Sequence, residues 1–283
     1  LEIEQLLAEK GVDTVQYNTT CPFVEKVWKR SAQLGNKGHT IIIHGKYEHE
    51  ETRATFSHTA KNSPAVVVRD MEEAQALGRI ISGEDPLDFF EGLFREKSTP
   101  GFDPATDFGK VGVVNQTTML ASETQAIAEH IREKIVQRSG TDLIKEHFAD
   151  TRDTLCYATN DNQSATLRLI EERADLALVV GGYNSSNTGH IVELCEEKMP
   201  TFFIKKENEM LSAESIRHFD IRDHTVKEST NWLPTNRPLR VVLTSGASCP
   251  DTLLDRVMIR LLELVDEKAD PMQAIEELLT AQA

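Results

Sequence analysis

The sequence is poor in the features that mark most specialised classes of protein. It has only four cysteines in 283 residues, Cys21, Cys156, Cys195 and Cys249, and no two of them form a CxxC. A zinc ribbon and a thioredoxin-type redox pair are thereby excluded, as is the disulfide framework of a small secreted domain. Long apolar runs are lacking as well: stretches such as 176–180 and 41–43 fall far short of the ~18 residues that a membrane span needs. Positive charge is scarce, with 31 Lys and Arg against 46 Asp and Glu and a net charge of -15. A protein that coats nucleic acid needs a basic face, and no basic run appears. The expected partners therefore include no nucleic acid and no membrane. A starting Met is lacking too, because residue 1 is Leu and residues 1–10 read as the middle of an amphipathic helix. The expectation from this start is a chain whose preceding segment has been removed.

What is present is an ordinary globular composition, 39% apolar and 27% charged. At about one domain per 150 residues the length suggests two compact units with a real core. Short β-rich apolar runs alternate with helical patterns: 15–18 with 23–34, then 40–44, 65–69 with 71–77, 110–114 with 121–136, 176–180 with 190–198, and 239–244 with 252–265. Such alternation predicts an α/β fold with largely parallel sheets, since a parallel pair needs a crossover that a helix usually supplies. Residues 82–108, rich in Gly, Pro, Asp and Phe, read as a surface insertion. Residues 231–237, with Pro234 beside Trp232, read as a linker.

The informative feature is the polar cluster at the C-terminal end of each strand. The clusters are Asn18-Thr19-Thr20-Cys21-Pro22, the run from His44 to Thr52, Asn115-Gln116-Thr117-Thr118, Asp153-Thr154-Leu155-Cys156, Asn184-Ser185-Ser186-Asn187-Thr188 and Thr244-Ser245-Gly246-Ala247-Ser248-Cys249-Pro250-Asp251. In parallel α/β sheets ligands bind at the carboxyl ends of strands, where helix N-termini present free N–H groups. Ser, Thr and Asn there add donors for an anion, although each cluster alone is also an ordinary helix cap. Their number and the cysteines among them favour a shared site. His49 and Glu51 suit proton delivery beside an anion, with Glu51 as acid and His49, if protonated, as counter-charge. A divalent-metal site or metal hydrolase built from His44, His49, Glu51 and His58 competes with that reading, but matches no HExxH-like spacing. Cys21 and Cys156 precede helices, where the thiolate and hence metal ligation are favoured, whereas Cys195 lies on an apolar helical face and reads as core.

In this order, Asn18-Thr19-Thr20-Cys21-Pro22-Phe23-Val24, the His44 to Thr52 segment, Gln116-Thr117-Thr118, Cys156-Tyr157-Ala158-Thr159, Gly181-Gly182-Tyr183-Asn184-Ser185-Ser186-Asn187-Thr188, Asn231-Trp232-Leu233-Pro234 and the run from Thr244 to Asp251 resemble the 4-hydroxy-3-methylbut-2-enyl diphosphate reductase family of the methylerythritol phosphate route to isoprenoids, in its plastid and cyanobacterial branch. The resemblance covers essentially the whole chain. It implies a three-lobed arrangement of small, largely parallel sheets with flanking helices around a central site. It also implies an oxygen-sensitive 4Fe–4S cluster held by three Cys, one per lobe. The implied reaction removes the hydroxyl of a short allylic diphosphate as water, with electrons from a ferredoxin or a similar carrier.

Carried onto this sequence, the resemblance makes Cys21 and Cys156 two of the cluster ligands, Glu51 the proton donor with Thr117 beside it, and His49, Ser185, Ser186, Asn187 and Ser248 the diphosphate contacts. The third ligand is expected before Leu1, with Cys249 as a conceivable stand-in. The expected lobes are residues 1–20 completed by 244–283, residues 21–150 with the insertion 82–108, and residues 151–243. The alternative is a non-redox homologue that binds a diphosphate without a cluster. The expected location is the cytoplasm of a bacterium or a plastid stroma. Lys26, Lys29 and Arg30, which share one helical face, are the candidate docking patch for the carrier.

Overall fold

The computed structural model describes residues 2–12, 20–149, 154 and 156–265. The expected strand at 15–18, with Asn18 and Thr19, lies outside them, as do Asp153, Leu155 and residues 266–283. The chain forms two compact units, Leu1–Cys156 and Tyr157–Ala283.

The first unit runs α1 (Glu2–Glu9), α2 (Pro22–Gly35), β1 (Thr40–His44), α3 (Glu50–Thr59), β2 (Ala65–Val68), α4 (Met71–Ser82), α5 (Phe89–Phe94), β3 (Val111–Asn115), α6 (Ala121–Ser139), α7 (Ile144–His147) and β4 (Phe148–Ala149). Its sheet has the order β2-β1-β3-β4 and is parallel throughout. Every residue of β1, β2 and β3 is buried, as expected of strands covered by helices on both faces. Alternation divides them cleanly. Ile42, Val66, Val68, Val111 and Val113 face α4 and α6 through Leu77, Ile80, Ile127, Ile131 and Ile135. Ile41, Ile43, Ala65, Val67 and Val114 face α2 and α3 through Val27, Leu34 and Phe56.

Residues 82–108 are not the surface insertion that their composition suggested. Phe90, Phe94, Phe102 and Phe108 are buried in the core against α4 and α6. Phe90 stacks on Phe102 with ring centroids 4.8 Å apart, and Phe108 meets Phe102 edge-on at 5.1 Å. Burying four rings outweighs the turn-forming residues between them, because aromatic side chains carry the largest apolar area per residue.

The second unit runs α8 (Tyr157–Glu171), β5 (Leu176–Val180), α9 (Ser186–Glu196), β6 (Thr201–Ile204), β7 (Ser215–Asp220), β8 (Thr225–Thr230), β9 (Val241–Ser245) and α10 (Asp251–Val265). The strand order is β8-β7-β6-β5-β9. β5 pairs in parallel with β6 and β9, whereas β7 and β8 form an antiparallel hairpin at one edge. This sheet is therefore mixed. The stretch read as a linker also differs from expectation: Trp232 and Leu233 are buried in the core, and Trp232 Nε1 donates to the Ser212 carbonyl at 2.9 Å.

Candidate functional site

Each unit carries its own polar cluster at the carboxyl ends of its parallel strands. In the first unit the cluster grows from β1 and β3, whose last residues His44 and Asn115 are register partners. After β1 the chain turns through Gly45 into His49, which caps α3 by accepting the Glu51 N–H on Nδ1 at 3.2 Å. An accepting Nδ1 leaves the proton on Nε2, free to donate. Burial, and after it Lys46, lower the His49 pKa, so the ring is held neutral rather than as the protonated counter-charge that the sequence allowed.

Glu51 comes next, in the first turn of α3, and its carboxylate reaches the end of β3. One oxygen accepts the Thr117 backbone N–H at 2.5 Å and the other accepts the Thr117 hydroxyl at 3.0 Å. Burial raises the Glu51 pKa, and the two bonds from Thr117 oppose that rise without cancelling it. The protonated form is thereby favoured beyond what an exposed carboxyl allows.

Beneath this pair sits a residue to which sequence reasoning assigned no role. The Gln116 side chain is fully buried, and its Oε1 accepts from the Lys46 N–H at 3.2 Å and from the Thr52 hydroxyl at 2.9 Å. Its Nε2 donates to Thr118 Oγ1 at 2.6 Å. Gln116 thus ties the turn after β1, the helix α3 and the segment after β3 together. A Cβ on Gly45 would stand 2.6 Å from Thr52 Oγ1 and 3.0 Å from Gln116 Cβ, so only glycine lets the turn pass over this bond. The glycine directly after a strand was the one visible signal.

The competing metal reading does not survive. His44 is buried against Thr124 at 2.8 Å, His58 stacks on Trp28 at 3.7 Å, and His49 caps its helix. No group of three or more His, Cys, Asp and Glu able to hold a metal ion occurs among the described residues. Cys21 and Cys156 are free thiols, the first exposed and the second partly so, each standing just before the first residue of a helix. Two accessible thiols suit the soft donors of an iron-sulfur cluster in type. Cys195 is buried and its pKa is pushed up to about 11 by burial, and burial also raises Cys249; both are poorer donors.

In the second unit Ser185 caps α9 by accepting the Thr188 N–H at 3.3 Å. A hydroxyl that accepts there still has its own proton to donate. Ser186 is the first residue of α9, Asn187 is buried, and Asn187 Nδ2 donates to Asn162 Oδ1 at 3.3 Å. The first turn of α9 holds no acidic residue. Ser248 is exposed in the turn between β9 and α10. Thr188 lies against Gly246, at the end of β9, so closely that any side chain there would collide with its hydroxyl.

Residues 1–262 match the family described as LytB protein. The chain belongs to the LytB family. A member from Gloeobacter violaceus, named 4-hydroxy-3-methylbut-2-enyl diphosphate reductase, is 40% identical over 262 residues, covering 92% of this chain and 61% of its own length. A chloroplastic LytB relative of the same name from Botryococcus braunii is 38% identical over 266 residues, covering 90% of this chain and 51% of its own. The chain spans about three fifths of the length of the cyanobacterial relatives that it matches. The solved E-1-hydroxy-2-methyl-but-2-enyl-4-diphosphate reductase from Plasmodium falciparum shares the fold, with a TM-score of 0.56 at 18% identity over 93% of this chain and 70% of that one. No helix among the described residues is long and apolar enough to cross a membrane.

Proposed function

We propose that the LytB protein to which this chain belongs reduces 4-hydroxy-3-methylbut-2-enyl diphosphate to isopentenyl and dimethylallyl diphosphate. The allylic C–O bond breaks, two electrons and two protons enter, and the hydroxyl leaves as water. The observation that carries this reading is the half-buried Glu51 carboxyl with its raised pKa, held by both the N–H and the hydroxyl of Thr117. Expulsion of hydroxide is helped by a proton delivered from a positioned acid, and a raised pKa favours the protonated form of that acid. Glu51 is the donor, and Thr117 fixes its direction.

His49 Nε2–H, the Ser185 and Ser186 hydroxyls, the Asn187 amide and Ser248 are the diphosphate contacts in this reading. The start of α9 adds the helix dipole to them. Cys21 and Cys156 would hold a 4Fe–4S cluster together with a third thiolate. When bound, such a cluster would supply the electrons and a Lewis-acidic iron. The electrons come from a small carrier such as a ferredoxin. Lys29 of the basic face expected to receive it lies 3.5 Å from Glu25 on the same helix.

The test is Glu51→Gln in the full-length protein, purified without oxygen. Gln keeps the shape but delivers no proton, so turnover is expected to fall by about 10² to 10⁴ while iron and sulfide contents stay the same. An unchanged kcat removes Glu51 from the reaction and the reading with it.

A further inference from the structure

The second unit contains a chain of amides whose direction is set by a single backbone carbonyl. Asn162, on α8 between the segment bearing Cys156 and the start of α9, donates from Nδ2 to the Ser245 carbonyl at 3.0 Å. A carbonyl only accepts, so Asn162 must turn its NH₂ toward Ser245 and its Oδ1 away. That Oδ1 accepts from Asn187 Nδ2 at 3.3 Å, so Asn187 must turn its own NH₂ toward Asn162. The NH₂ has two protons, and Asn162 uses one of them. The second is left as a donor with its direction already fixed, while Asn187 Oδ1 has no partner and is buried.

From this we infer that Asn162 is the positioning residue of the anion cradle at α9: through the Ser245 carbonyl it orients the Asn187 amide with a donor, not an acceptor, toward the diphosphate. The inference rests on the diphosphate reading given above. The physical stake is sign. A diphosphate is an acceptor throughout, and an Asn187 amide free to rotate would present its oxygen for part of the time and repel the ligand. Locking the rotamer before the ligand arrives also removes an ordering cost from binding. α8 is tied to the end of β9 by a second bond, between Thr166 and Thr244 at 3.2 Å, which does not touch Asn187. That bond separates orientation of the amide from anchoring of the helix.

The test compares Asn162→Leu with Thr166→Val in the full-length protein, using inorganic pyrophosphate as the probe in calorimetric titration, with melting temperatures and steady-state kinetics alongside. Both variants are expected to melt somewhat below the parent protein. Only Asn162→Leu is expected to lose pyrophosphate affinity, by about tenfold, the size of one hydrogen bond. Its KM for the substrate should rise by a similar factor with kcat within about twofold. If Asn162→Leu does not fold, Asn162→Ser takes its place with the same expected loss. Affinity equal to the parent overturns the inference, and so does equal weakening by the Thr166 variant, which would assign the effect to helix anchoring. A parent protein that binds no pyrophosphate overturns the functional reading as well, whereas binding by the parent with an unaffected Asn162 variant overturns the inference alone.

Discussion

α3 and α9 begin in the same way and are equipped for opposite tasks. Each comes after a fully buried parallel strand and starts on a side-chain cap, His49 for α3 and Ser185 for α9. The first turn of α3 then holds Glu50 and Glu51, whereas the first turn of α9 holds no acid. An acid in the first turn satisfies the helix dipole from within, and a helix so satisfied has little left to offer an external anion. α9 has no such acid, and its cap and neighbours are neutral. The difference extends to protonation. The same dipole should favour an ionised Glu51, whereas burial raises its pKa and works against that ionisation. In the proposed function one strand end would therefore be a place for a proton, and the other a place for negative charge brought from outside.

The sharpest way to break this comparison is to make α9 resemble α3. Ser186→Glu places an acid in its first turn, where a carboxylate contributes about 0.3–1 kcal/mol to the helix. The melting temperature is expected to hold or rise. A like charge set against a diphosphate costs several kcal/mol, so pyrophosphate affinity is expected to fall by about a hundredfold or more. Titration and thermal melting on the same sample read the two effects. Affinity that survives Ser186→Glu means that the anion does not bind at α9.

The next largest effect is expected at Gly45, where the comparison concerns rigidity. Gly45→Ala brings a Cβ to 2.6 Å from Thr52 Oγ1 and forces apart the bond between Thr52 and Gln116. Crowding of this kind costs about 1–3 kcal/mol, and displacement of Gln116 moves its neighbour Thr117 away from Glu51. Stability and kcat should fall together. The double variant Gly45→Ala, Thr52→Ala removes the clashing hydroxyl and should recover part of the stability, a non-additivity that thermal melting can read. Simple additivity would mean that the collision is relieved elsewhere.

Much of the scaffold was legible because parallel strands covered on both faces read as continuous apolar runs, as in Ile41-Ile42-Ile43 and Val66-Val67-Val68. α3 was not legible as a helix, since its buried face is Thr52, Thr55 and Thr59 rather than an apolar stripe. The β7–β8 hairpin was missed because β8 is mostly exposed and polar, held by ladder pairing rather than by burial. Among site residues, Glu51 and Thr117 are 66 positions apart, and no local pattern links them. Taken alone, the residues around Glu51 pointed to an acid beside an imidazole in a polar turn, and the family resemblance picked out its partner. Gln116 and Asn162 escaped because their roles depend on which partners converge on a buried amide, and spacing along a chain does not encode that convergence.

The smallest expected effect concerns the carboxyl itself and bears on whether burial really prevails over the helix end. A pKa raised in the folded state means that the folded protein holds its proton at pH values where the unfolded chain has lost it. Stability then falls as pH rises, because the slope tracks the protons bound by the unfolded chain minus those bound by the folded one. Below the ordinary carboxyl range both states are protonated and Glu51 contributes no pH dependence. Through that range and up to the raised value the unfolded chain ionises first, and the parent protein loses stability relative to Glu51→Gln, which does not titrate. Above the raised value the difference is constant. Thermal melts of the parent and Glu51→Gln at a series of pH values from acid to neutral should therefore diverge, with the glutamine variant gaining as pH rises. Curves that run parallel would mean that the carboxyl titrates as an ordinary one, and curves that diverge with the opposite sign would mean that the dipole of α3 and the two bonds from Thr117 outweigh its burial.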